Sequence, residues 1–78
     1  MTDFRQLVDA HRTRRRKHGQ PPLTVQQIAT AAGVARSYMY ALFRGRKTAS
    51  LWVAENLADA LGVALKDVLA ALAKSRAK

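Results

Sequence analysis

Two short helical patterns meeting across Gly33 constrain this chain more than any other feature. Thr24, with Gln27 three residues on, forms a Thr-x-x-Gln capping box that opens the first of the pair. Gly33 closes it, and a second helix follows almost at once, over about 35–43, stopping before Gly45. Two short helices joined so tightly must cross steeply, which demands small or apolar residues where they touch. Ala29 supplies the small side chain at that contact, and Gly33 occupies the turn, where φ is commonly positive and other residues are strained. Ile28, Ala32, Val34, Met39 and Leu42 fall on the inward sides of the two helices. Each match is cheap alone; together, in one ungapped window, they are specific.

Three further helices are predicted around this unit. The first covers about 3–17, with Asp3 as N-cap, Gln6 completing a capping box, and Phe4, Leu7, Val8 and His11 on its buried face. A basic cluster and Gly19 end it, and Gln20-Pro21-Pro22 makes a stiff connector. After the loop Gly45-Arg46-Lys47-Thr48-Ala49, Ser50 caps a fourth helix that reaches Leu61 and is stopped by Gly62. Its expected apolar stripe is Leu51, Ala54, Leu57, Ala58 and Leu61, and Trp52 lies off it. The fifth covers about 64–73 with Leu65, Val68, Leu69 and Leu72 inward; 74–78 lack a large apolar anchor and are expected to fray. Val and Ile are scattered and nowhere alternate with polar residues, so the class is all-α. With 78 residues the chain is expected to be a single domain, 1–78, with one modest core.

Charge is the second informative property. The formal net charge is +9, and from position 10 through 54 there is no acidic residue. That segment holds Arg12, Arg14, Arg15, Arg16, Lys17, Arg36, Arg44, Arg46 and Lys47. Elsewhere Arg5, Lys66, Lys74, Arg76 and Lys78 offset Asp3, Asp9, Glu55, Asp59 and Asp67. A surplus segregated in this way points to a polyanionic partner, because each neutralised phosphate releases condensed counterions. Cysteine is absent, which fits a reducing cytoplasm and rules out a thiolate metal site. The N-terminus carries charge where a signal peptide needs an apolar stretch, and no run approaches the ~18 apolar residues of a membrane span.

At this point the chain resembles the Cro/Xre-type helix-turn-helix family of phage repressors and bacterial regulators. The resemblance is carried by Leu23-Thr24-Val25-Gln26-Gln27-Ile28-Ala29, Gly33-Val34-Ala35-Arg36-Ser37, Arg44-Gly45-Arg46-Lys47 and Leu57-Ala58-Asp59-Ala60-Leu61-Gly62-Val63, spanning roughly 4–69. It implies a compact five-helix, lambda-repressor-like domain with a central helix-turn-helix over about 24–44, and a sequence-specific transcription regulator of duplex DNA. On the second helix of the pair, Ala35, Met39, Leu42 and Phe43 would face inward, and Arg36, Ser37, Tyr40, Ala41 and Arg44 outward. In such proteins the outward residues meet base edges in the major groove, so Arg36, Ser37, Tyr40 and Ala41 are the base-reading candidates. Arg36 leads, since its guanidinium fork matches guanine O6 and N7, with a phosphate contact as its alternative. The free backbone N–H groups near Thr24 and Val25 at one helix start, with Gln26 beside them, and Arg44, Arg46, Lys47 and Thr48 after the other, are the phosphate-binding candidates.

Three positions depart from the family pattern. Phe43 stands where a Glu often pairs with an Arg placed like Arg15, so Phe43 is expected to pack against the first helix instead. Ala35 stands where Ser or Thr would cap, and Val25 where a Gln commonly reaches phosphate. One short helix reads few base pairs, so a homodimeric repressor on a two-fold operator is expected, with Trp52, Val53, Leu65, Leu69 and Leu72 as candidate dimer contacts. Trp52 reads equally as a partly buried aromatic at the domain edge. An antitoxin-type module with a toxin protein as main partner is the alternative reading. A basic helix binding RNA or anionic membrane through Arg12 to Lys17 leaves the 25–44 pattern unexplained. His11 and His18 have no metal-ligand spacing, no catalytic constellation is present, and no cofactor or small-molecule effector is expected. The expected location is a bacterial cytoplasm, with the gene bacterial or phage-borne.

Overall fold

The computed structural model describes residues 2–77, which form α1 (Phe4–Lys17), α2 (Val25–Ala32), α3 (Arg36–Phe43), α4 (Leu51–Leu61) and α5 (Leu65–Arg76). Local chemistry sets most of the boundaries. The Gln6 amide donates to Asp3 Oδ1 at 2.8 Å and the Asp3 amide to Gln6 Oε1 at 3.0 Å, a reciprocal box at the start of α1. Thr24 and Gln27 repeat it at α2, at 3.1 and 2.8 Å. Ser50 Oγ accepts from the Val53 amide at 3.2 Å and opens α4. Helices α3 and α5 start at Ala35 and Ala64 with no side-chain cap, a loss of about 1 kcal/mol each that tertiary packing must offset.

The core is shared by all five helices. Phe4 and Val8 enter from α1, Ile28, Ala29 and Ala32 from α2, and Met39 and Leu42 from α3. Val53, Ala54, Leu57, Ala58 and Leu61 come from α4, and Val68, Ala71 and Leu72 from α5. Helix α4 packs against both α2 and α5, and α1 lies across α5 and α3. Among the described residues, no helix is long and apolar enough to cross a membrane.

Several faces are rotated from the sequence reading. The α4 stripe is centred on Leu57 and Leu61, and at 100° per residue Val53 falls inside it while Leu51 lies at its margin. Leu51 is accordingly 59% exposed and Val53 only 6%. Ala35 is exposed, since it is the N-cap with extended backbone (ψ 156°) and helical spacing does not carry it inward. On α5 the buried face is Val68, Ala71, Leu72 and Ser75, leaving Leu69 43% exposed.

The largest departure is at the end of α5. The helix runs to Arg76 instead of fraying after Ala73, and Ser75 is 1% exposed; Lys78 lies outside the described residues. The Ser75 hydroxyl accepts a hydrogen bond of 3.0 Å from the Phe4 amide. Phe4 is the first residue of α1, so its N–H has no partner within its own helix. A serine that caps another helix carries no apolar signal in the sequence. The same turn abuts Gly45, which has φ +70°. A Cβ on Gly45 would fall on the Ser75 carbonyl oxygen, 2.8 Å from its carbon and 2.9 Å from Arg76 Cα.

His11 is half-buried in a cleft lined also by Arg14, Arg15, His18, Gln20, Leu61 and Gly62. Burial pushes its pKa below the ordinary 6.5, helped by Arg14 and Arg15 and opposed by the Leu61 backbone. The unfolded chain therefore takes the proton more readily. Stability present above about pH 6.5 is lost as pH falls through the folded-state pKa. Thermal melts should show a lower Tm on going from about pH 7 to 5.5, and His11→Gln should flatten that slope. Gly45→Ala should cost about 2 kcal/mol or more in urea unfolding, combining a left-handed residue with a backbone clash. Gly19→Ala, with φ +73° but open space around the added methyl, should cost only about 1–2 kcal/mol.

Candidate nucleic-acid interface

Helix α3 is built with one side in the core. Met39 is 0% and Leu42 1% exposed, while Arg36, Ser37, Tyr40 and Arg44 are exposed and Ala41 is half-buried. The base-reading candidates thus share one face. Phe43 is half-buried and packs against α1: its ring lies 5.3 Å from that of Phe4, with the Arg5 guanidinium 5.1 Å from its centroid. Tyr40 meets Phe43 edge-on at 5.8 Å, which holds the base of its ring while leaving the side chain 36% exposed.

The turn that sets α3 against α2 is closed on several sides. Gly33 has φ 76°, its amide donates to Thr30 O at 3.1 Å, and the Val34 amide donates to Ala29 O at 3.0 Å, a Schellman closure. From α4, Asn56 Nδ2 donates to the Ala32 carbonyl at 3.3 Å. Trp52, 62% exposed, lies with one ring edge over Gly33, where a Cβ would stand 3.0 Å from Cη2. Trp52 is therefore a lid on the turn with an open outer face.

At the start of α2 the polar side chains are engaged within the helix. The Thr24 hydroxyl and amide are both engaged by Gln27. Gln26 turns along the helix, Nε2 donating to Thr30 Oγ1 at 3.3 Å while that hydroxyl donates to Gln26 O at 2.9 Å. Val25 is half-buried against the core. What this helix end presents is backbone, the amides of Val25 and Gln26 in the first turn.

Beyond α3, Arg44, Arg46, Lys47 and Thr48 are all exposed. The Arg46 amide donates to Ala41 O at 2.9 Å, so the chain doubles back across the end of the helix. Tyr38, absent from the residue set read from the sequence, organises this loop. Its hydroxyl donates to Thr48 O at 3.2 Å, and Lys47 Nζ lies 5.6 Å from its ring centroid. The only sequence signal for it is an aromatic lying beside, not on, the Met39 and Leu42 stripe. Val34, Ala35, Ser37, Tyr38 and Lys47 line an open groove of about 460 Å³ along the start of α3. Arg15, lacking a Glu at position 43, donates from Nε to Pro21 O at 2.8 Å and ties α1 to the connector.

Of the candidate dimer contacts, Trp52 and Leu69 are exposed and Leu65 is half-buried. Val53 and Leu72, at 6% and 8%, are core residues whose side chains are already covered by their own chain.

Two short helices locked at a left-handed glycine, with an exposed basic face on the second and open helix-end amides on the first, define a helix-turn-helix domain, the class whose second helix enters the major groove of DNA. The chain belongs to the helix-turn-helix domain family, whose model matches residues 4–72. It is similar to the clp gene regulator ClgR from Corynebacterium glutamicum in two crystal structures. One is 35% identical, with TM-score 0.57, covering 91% of this chain and 72% of that one. The other is 34% identical, with TM-score 0.58, covering 90% and 86%. No curated protein matches. Tyr38→Phe, which deletes the bond to Thr48, should lower unfolding free energy by about 0.5–1.5 kcal/mol in urea titrations.

Proposed function

We propose that the protein is a sequence-specific transcription regulator that binds duplex DNA with α3 in the major groove, acting as a homodimeric repressor on a two-fold operator. The observation that carries this reading is the outer face of α3: Arg36, Ser37, Tyr40 and Ala41 together, with cationic or amide groups beyond both ends of the two-helix unit. Arg36 donates twice to a guanine, Ser37 and Tyr40 contact adjoining base edges, and Ala41 allows close approach. The Val25 and Gln26 amides, with Thr24 shaping the turn before them, hold one phosphate. Arg44, Arg46, Lys47 and Thr48 hold the backbone on the other side. The likeness to ClgR, described as a gene regulator, supports the regulatory role.

A helix of eight residues reads few base pairs, so selectivity requires a second copy about 34 Å away along the DNA. Trp52, Leu65 and Leu69 are the apolar side chains left to contribute to such a dimer. The protein works in the cytoplasm of a bacterium.

Binding to DNA upstream of its own gene and to random duplex, measured across a salt series, tests this. Arg36→Ala should weaken specific binding by about 5- to 150-fold, equivalent to about 1–3 kcal/mol, and spare nonspecific binding. Lys47→Ala should weaken both and lower the salt slope by about one. Equal wild-type affinity for the two duplexes sinks sequence-specific regulation. Sedimentation showing one copy per operator would remove the dimer.

A further inference from the structure

We propose that Ser75 is a positioning residue for DNA binding: its contact with Gly45 holds the Arg46–Lys47–Thr48 segment where it meets the phosphate backbone. The proposal rests on the DNA-binding reading above, and it starts from a side chain that reading leaves unused. Ser75 is almost fully buried in the last turn of α5, a place where polar side chains ordinarily face water. A buried hydroxyl is costly unless bonded, and this one accepts from the Phe4 amide, which α1 itself leaves without a partner. The bond pins the end of α5 to the start of α1. The backbone of that pinned turn, the Ser75 carbonyl and Arg76 Cα, is what Gly45 packs against.

The end of α3 is consequently clamped from two sides. The Phe4 ring bears on Phe43, and the α5 backbone bears on Gly45 two residues later. Arg44 lies between the clamped residues, and Arg46 and Lys47 follow directly. The contact at Gly45 is backbone against backbone, with no rotamer to adjust, so a shift of the Ser75 turn moves the loop with it. Gly45 is also where the chain reverses, the Arg46 amide returning to Ala41 O at 2.9 Å. Displacement there redirects every cation after it.

Amide hydrogen exchange in the protein without DNA, together with the salt dependence of duplex binding, tests the coupling. In wild type the Phe4 and Arg46 amides should exchange through one opening, with protection equal within about threefold. Ser75→Ala should accelerate Arg46 exchange at least about tenfold more than that of the core Leu57 amide. It should also reduce the slope of log affinity against log salt by about one to two. Val68→Ala loosens α5 two turns earlier without touching Gly45, and should raise exchange throughout with the slope unchanged. An unchanged slope in Ser75→Ala, or Arg46 exchange rising only in step with Leu57, overturns the proposal. Should Ser75→Ala fail to fold, wild type alone decides: Arg46 exchanging more than about tenfold faster than Phe4 also overturns it. A wild type with no salt-dependent duplex affinity defeats the DNA-binding reading instead, and the exchange comparison still judges the Ser75–Gly45 coupling.

Discussion

Between Ala32 and Ala35 the chain must reverse while both flanking helices keep small faces together, and Gly33 makes this possible with φ 76°. Left-handed backbone costs an L-residue about 1–2 kcal/mol, and a Cβ here would stand 3.0 Å from Trp52 Cη2, so the ring would have to shift. The positive φ is the penalty that selects glycine. Once α2 ends there, its loose carbonyls are taken up by the Gly33 and Val34 amides and by Asn56 of α4. The angle of α3, and with it the outward aim of Arg36 and Tyr40, follows from that closure.

Replacing an ion pair with aromatic packing at the end of α3 is energetically reasonable. Exposed ion pairs contribute about 0–1 kcal/mol because solvent screens them. An aromatic pair such as Phe4–Phe43 contributes about 0.5–1.5 kcal/mol beyond its buried area, and a cation over a ring adds about 0.5–1 kcal/mol at exposed sites. The exchange loses no stability, and it leaves Arg15 available to anchor the proline connector. It also keeps the 10–54 segment free of negative charge beside the exposed basic loop of Arg44, Arg46 and Lys47. Sequence-level departure and electrostatic consistency are two views of one substitution.

Much of the fold was legible because it is governed by local rules. The capping boxes at Asp3 and Thr24, the glycine stops at Gly33 and Gly62, and the capping serine at Ser50 lie where short-range hydrogen bonding demands them. The outer face of α3 was legible for the same reason, since helical spacing alone separates Arg36, Ser37 and Tyr40 from Met39 and Leu42. Less legible was what engages each polar side chain at the start of α2. Gln26 pairs with Thr30 and Thr24 with Gln27, contacts that residue type alone does not specify.

The sequence by itself determined helix identity, helix order, the turn at Gly33 and the segregation of positive charge, because each depends on residues within a few positions of one another. Tertiary structure alone decided the rest. Val53 went to the core, and Leu51 and Leu69 to the surface, because small rotations of α4 and α5 follow from packing against partners far away in the chain. Tyr38 acquired its role because Thr48 returns beside it. Ser75 became the cap of α1 and the floor under Gly45 because folding brings residue 75 to residues 4 and 45. Spacing carries the period of a helix but not the identity of what lies across from it, and these contacts join residues no periodicity relates.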